Sequence, residues 1–494
     1  MSPATTGGQR QEASLDLPLD PPGAGESKQS WVYRQMRERI LQGALRSGMR
    51  LPSTRSLARR WRVSRSTAEA AYDQLRSEGY TAGTVGSGTY VAAVIPDKFF
   101  RRGPPTPGLV LAPEGPAAAP VAPTAPTAPT APAPPFSARS ADAALFPMAN
   151  WSKGLAASAR SLTPAQLGRD ESQGWPALRE QIARYLGAAR GIRCDADQVI
   201  VLSGIRDGLA LCGQILLTPQ DKVLIEDPGY QHAAPLFRQY TPHVVPLAID
   251  AHGFAVAQAR DQRGVKLAYV TPAHQSPTGI TMPVSRRWEL LEWAEQAGAW
   301  IVEDDYDSEF NYDGAPLAAL KSLHGADRVI HCGSFNKSMF NALRIGYAVV
   351  PQALVAAFVA AQRRAGRSNS VVEQMTLARF LADGGFARHV RKARSVYARR
   401  RDAVLQALRQ ATGADALRTS GEQAGFHVLW WLPEGWPLAA VLEAGRQAGV
   451  GMQALAELCH QAELPPGVVI GYSAIDEDRL QRLGLLLAAA RPGR

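Results

Sequence analysis

Residues 334–347 read SFNKSMFNALRIGY and set one amine, Lys337, among small and apolar residues, with Arg344 seven positions later. A lysine amine in such a setting can condense with an aldehyde to give a Schiff base. The chain also carries groups that suit an aldehyde cofactor. The acidic run EDDYDSEF (303–310) follows the apolar AWIV, so Asp304 and Tyr306 stand at a strand's carboxyl end. There Asp304 can keep a ring nitrogen protonated and Tyr306 can hold a phenolic oxygen. Arg344 and Ser334 can grip a phosphate, helped by backbone N–H groups of a helix opening at Ser203 and Gly204. Tyr230, in EDPGY, can stack on a ring, and HQSPTG (274–279), which includes Ser276, can turn beside it. Those are the needs of pyridoxal 5'-phosphate.

Each residue alone reads as well otherwise. Lys337 alone is an ordinary surface lysine, and the acidic run alone is a solvated loop or a carboxylate metal site. Their joint occurrence, in this order, carries the cofactor reading.

The elements that must position these residues alternate. QVIVLS, KVLIED, KLAYVTP, AWIVEDD and RVIHCGS are short apolar runs, rich in β-branched residues, that end in polar residues or glycine, and helical stretches such as RRWELLEWAEQAG separate them. That alternation predicts an α/β domain with a mostly parallel sheet, whose ligands bind beyond the carboxyl ends of the strands.

The beginning of the chain has another character. The formal net charge of +10 is localised: between Lys28 and Val94, twelve Lys or Arg stand against Glu38, Glu69, Asp73 and Glu78. An anionic partner is implied. Val32, Met36 and Ile40 recur at helical spacing; Ser53 and Ser64 are placed to cap two further helices. YTAGTVGSGTYVA then reads as two short strands around a glycine-rich tip. Three helices and a hairpin make a winged helix-turn-helix. Its second motif helix would lie in the major groove of double-stranded DNA, presenting Ser64, Arg65, Ser66 and Thr67. Arg55 would reach a phosphate or a base, and Gly86 and Gly88 would let the wing backbone approach the sugar-phosphate chain. The other reading is a solvated basic face on a protein-binding winged helix.

Residues 1–27 read as a disordered tail, and VAPTAPTAPTAPAPP lies within a Pro/Ala-rich linker at 95–138. Extended as polyproline II at ~3.1 Å per residue, residues 116–135 would span on the order of 60 Å. The four cysteines are scattered without a CxxC pair, and neither a leader nor a bilayer-length apolar run is visible. The expectation is a cytoplasmic protein without a membrane or metal role.

LPSTRSLARRWRVSRSTAEAAYDQLRSEGY with GSGTYV resembles the DNA-binding domain of GntR-family regulators. LGRDESQGWPALREQIARYLGAARGIRC, EDPGYQHA, TPAHQSPTG, EDDYDSEFNYDG and the lysine segment are similar to fold-type I aminotransferases. More narrowly, the chain resembles the MocR subfamily, in which the two are fused. The resemblance implies a multidomain protein: a winged helix-turn-helix at 28–94, the linker, and an aminotransferase-like domain at 139–494. It implies a head-to-tail homodimer that senses a ligand through pyridoxal phosphate, with Lys337, Asp304, Tyr306 and Arg344 in the roles above. Four positions depart from the pattern: Ile205 and Asn336, each where a hydroxyl residue is usual, Asn341 for proline, and Val468-Val469 where a carboxylate-binding arginine would stand. The last disfavours transamination. A transcription regulator without net catalysis, responding to pyridoxal phosphate or to an amine or amino acid, is the leading expectation. The alternative is an active aminotransferase carrying a DNA-binding domain.

Overall fold

Helical spacing in the first segment becomes a core. Val32, Met36 and Ile40 of α1 (Lys28–Leu41) are buried against Leu57 of α2 (Thr54–Arg60) and Ala68, Ala71, Tyr72 and Leu75 of α3 (Arg65–Ser77). Ser53 accepts from the Ser56 N–H and Ser64 from the Thr67 N–H, both at 3.1 Å, so both motif helices start where a side chain satisfies an otherwise unpaired donor. Strands β1 (Thr81–Thr84) and β2 (Gly88–Val91) pair antiparallel as the wing. Tyr72 closes the motif by donating to the Pro52 carbonyl at 2.9 Å. Asp20, inside the expected tail, accepts from the Trp31 indole at 2.7 Å.

This computed structural model describes residues 20–21, 27–41, 44–45, 49–77, 80–84, 88–91, 141–169, 171–312, 318–366 and 369–491. The expected linker lies outside them. The chain divides into two units, Met1–Val110 and Leu111–Arg494.

The second unit is built on a seven-stranded sheet. Its strands are β3 (Val199–Leu202), β4 (Lys222–Asp227), β5 (Val244–Ala248), β6 (Val265–Val270), β7 (Trp300–Asp305), β8 (Val329–Ser334) and β9 (Gly346–Val349), in the order β3-β9-β8-β7-β6-β4-β5. Only β9 runs against its neighbours. Apart from the edge strand β5, the strands are largely buried on both faces, which is why they read as unbroken apolar runs. One face packs Leu209 and Cys212 of the helix Ile205–Leu216 and Phe358 of Val355–Arg364. Another carries Leu290, Trp293 and Ala294 of Val284–Ala297.

A second, antiparallel sheet follows the long helix Gly385–Thr412. It comprises β10 (Arg418–Ser420), β11 (His427–Trp431), β12 (Met452–Ala454) and β13 (Gly467–Gly471), in the order β10-β11-β13-β12. Val468 and Val469 lie at its centre, both fully buried. Val469 packs with Leu429, Leu455 and Leu458. Among the described residues no helix is long and apolar enough to cross a membrane.

Candidate cofactor site and nucleic-acid interface

The topology gathers the expected cofactor residues at one edge. Because six strands are parallel, Ser203 after β3, Tyr230 after β4, the HQSPTG turn after β6, Asp304 near the end of β7 and Lys337 after β8 follow the carboxyl ends of one sheet. Leu202 and Ser334 both register with Gly346 of β9, so the Ser203-Gly204 turn adjoins the lysine segment. Arg344 joins them in the turn before β9, in a left-handed conformation at φ 54°.

Asp304 is buried and accepts from the Tyr269 hydroxyl at 2.6 Å. Burial pushes its carboxyl up to about 7 against the pull of that hydroxyl, and the charges of Asp305 and Asp307 push the same way. A protonated ring nitrogen would supply the positive charge such a carboxylate needs. The other acids of the run have separate partners. Glu303 meets His331 at 2.9 Å, Asp305 forms a buried pair with Arg190 at 2.7 Å, and Asp307 meets His274 at 2.7 Å.

Ser203 and Gly204 precede the helix Ile205–Leu216, where the anion cradle is expected. Gly204 sits at φ 139°, and a Cβ there would stand 3.2 Å from the Asn336 Nδ2. Asp207 occupies the Ser203 N–H at 3.1 Å. Beyond it the first helical turn offers backbone donors, and Ser334 and Arg344 add a hydroxyl and a guanidinium. Asn336 has a bracing role: its Oδ1 accepts from the Ile345 N–H at 2.9 Å and its Nδ2 donates to the Ser203 carbonyl at 3.4 Å. The tyrosine ring at 230 lies 6.3 Å from that of Tyr269, and Arg206 donates to its hydroxyl at 3.3 Å. Ser276 is buried, its N–H on Thr271 Oγ1 at 3.1 Å. A buried carboxylate whose pKa burial raises, a glycine-lined helix start, a guanidinium and a half-buried lysine fit pyridoxal phosphate.

His274, Asp307 and Tyr269 lie inside the motifs HQSPTG, EDDYDSEF and KLAYVTP, but nothing in the sequence assigns them a task. His274 Nδ1 lies 3.1 Å from the Tyr306 hydroxyl and 2.7 Å from Asp307 Oδ2. Thirty-three residues separate the imidazole from its carboxylate, so only the fold could reveal the pair.

In the first unit, Arg55, Ser64, Arg65 and Ser66 are exposed and Thr67 partly so, at the start of the two motif helices. Ser64 Oγ lies 2.9 Å from Ser66 Oγ and 2.7 Å from Thr67 Oγ1. Arg65 pairs with Glu69 at 2.7 Å, an exposed i,i+4 contact worth about 0.3–0.5 kcal/mol and readily exchanged for a base or a phosphate. Gly88 opens β2 opposite Thr84, so it is a strand residue; Gly86 lies outside the described residues.

Residues 28–91 match the gntR family of bacterial regulatory proteins, and residues 163–436 match the aminotransferase class I and II family. Fold and site thus define a winged helix-turn-helix joined to a fold-type I domain for pyridoxal phosphate. The probable rhizopine catabolism regulatory protein MocR of Rhizobium meliloti is 33% identical over 446 residues, 90% of either chain. The pyridoxine biosynthesis transcriptional regulator PdxR of Corynebacterium glutamicum is 30% identical over 477 residues, 95% of this chain and 97% of its own. The crystal structure of Pyrococcus horikoshii kynurenine aminotransferase, 26% identical, superposes with a TM-score of 0.65 over 72% of this chain and 89% of that one. The chain belongs to the MocR subfamily of GntR-family regulators. It is a DNA-binding transcription regulator, and pyridoxal phosphate is the cofactor of its second unit.

Proposed function

We propose that the second unit is a sensor, and that occupancy of the Lys337 site changes how a homodimer holds its operator. The observation that carries this reading is a pairing of opposites. The cofactor residues converge at one sheet edge, whereas Val469, where a substrate carboxylate would need a guanidinium, is buried among leucines. An apolar side chain cannot make that bidentate contact. The cofactor chemistry is kept and the substrate clamp is not, which favours a switch without net turnover.

When bound, pyridoxal phosphate supplies an aldehyde and an electron-withdrawing ring. Lys337 holds it covalently, Asp304 keeps a proton on the ring nitrogen, and Tyr306 holds the phenolic oxygen. Ser203, Gly204, Ser334 and Arg344 grip the phosphate, while Tyr230 and Ser276 border the ring. The signal is the cofactor itself or a small amine or amino acid that contests Lys337. The names of the relatives, one tied to pyridoxine biosynthesis and one to rhizopine catabolism, support both signal classes. A winged helix at 28–94, a linker at 95–138 and an effector domain at 139–494, in a head-to-tail cytoplasmic dimer, complete the proposal. Ligand that prefers one arrangement of the dimer shifts the population toward it.

The test is paired. Added pyridoxal phosphate should give the wild-type chain a visible absorbance band and a changed operator affinity by fluorescence anisotropy, and Lys337→Ala should lose both. Operator binding that responds equally in wild type and Lys337→Ala would remove the sensor role. Arg65→Ala should weaken operator binding roughly fivefold or more, about 1–3 kcal/mol, with the absorbance band untouched.

A further inference from the structure

We propose that His274 is a positioning residue for the cofactor: held by Asp307, it fixes which way the Tyr306 hydroxyl gives its proton. The proposal rests on the cofactor reading above and deepens it. Asp307 Oδ2, a carboxylate oxygen, lies 2.7 Å from His274 Nδ1, so that nitrogen carries a hydrogen. With its lone pair used, Nδ1 cannot accept from Tyr306. The 3.1 Å contact is therefore the weaker arm of that shared N–H, received by the phenol oxygen, and Tyr306 directs its own proton away from His274. That is the polarity a phenolic cofactor oxygen requires of a donor.

The pair is enclosed. His274 and Asp307 are 2% and 1% exposed. A Cβ at Gly425 would collide with Asp307 Oδ2 and lie 2.6 Å from His274 Cε1, and one at Gly279 would lie 2.8 Å from Nε2. The segment before β11 thus clamps the imidazole from the side of the second sheet. The titratable groups facing it are Tyr306, Asp307 and, from β11, His427, whose ring lies 5.5 Å away. Farther off, Asp304, Tyr312 and Tyr472 sense the Asp307 charge. Burial lowers the tendency of His274 to charge, but Asp307 outweighs it and the imidazole pKa is raised.

A hydroxyl donating to the phenolic oxygen draws electron density from the ring system, so the Lys337-linked nitrogen releases its proton at lower pH. The readout is the pH midpoint of the visible absorbance band of the loaded full-length protein. Tyr306→Phe should raise the midpoint by on the order of one unit, His274→Phe by part of that, and the double variant no further than Tyr306→Phe alone. His274→Asn, whose amide nitrogen can occupy the Nδ1 position, should stay near wild type. Asp307→Asn should also raise the midpoint, and it serves if His274→Phe does not fold. A wild-type midpoint in His274→Phe, or in Asp307→Asn where that variant serves, would overturn the proposal, as would additive shifts in the double variant. A wild-type chain without the band would overturn the cofactor reading, and this one with it.

Discussion

Asp304 shows how a single side chain stores a demand for its ligand. Burial, helped by Asp305 and Asp307, brings its carboxyl to about 7. The folded chain therefore holds this proton more tightly than the unfolded chain does. The stabilisation from it is complete below the ordinary carboxylate range and is lost as pH rises toward 7. Buried Glu226, also pushed to about 7, acts in the same direction. Without cofactor the protein should melt lower at pH 8 than at pH 5.5, and Asp304→Asn should recover part of the difference. The gain should be roughly 2–4 °C for each kcal/mol regained. An unchanged melting temperature at pH 8 in that variant would mean that a cation inside the fold already compensates the carboxylate.

Two elements, the helix opening at Ile205 and the turn before β9, are joined by Asn336. The sequence marks this residue only as a departure from a usual hydroxyl residue. Its buried amide bridges the Ser203 carbonyl and the Ile345 N–H, tasks a serine side chain is too short to share. Asn336→Ala should leave the Ile345 donor unsatisfied at a cost of about 1–3 kcal/mol. It should also weaken pyridoxal phosphate binding, seen as a higher Kd in absorbance titration. A variant with full stability and affinity would reduce Asn336 to a spacer. Helices and buried strands were legible before the fold, because the capping serines and the β-branched runs are local signals. The strand β9, Gly346–Val349, was not: it follows the lysine segment closely and differs from its neighbours only in direction, which side-chain pattern does not encode.

The whole molecule divides into two units with separate tasks, one basic and DNA-facing and one built for a cofactor. A linker of the expected length and composition should let them unfold separately. Calorimetry of the full chain should give two transitions, with pyridoxal phosphate raising only the one from the second unit. The rise should follow RT ln(1 + [L]/Kd), about 2.7 kcal/mol at one hundred times Kd. A single transition that moves as a whole would show the units to be energetically coupled.

Composition and motif spacing by themselves determined the two-part organisation, the α/β class and the winged helix, and they singled out Lys337, Asp304, Tyr306 and Arg344 as candidates for the cofactor site. These depend on periodicity and on residue types that few other chemistries require. The tertiary structure decided what those residues touch. Parallel strands brought Ser203, Tyr230, Asp304 and Lys337 to one edge from positions more than a hundred residues apart. Burial raised the carboxyl pKa of Asp304 and packed Val469 among leucines. The clamp of Gly279 and Gly425 around His274 joined a turn to an acid across 33 residues, because hydrogen-bond polarity is fixed by distance and desolvation in space, which no linear pattern records.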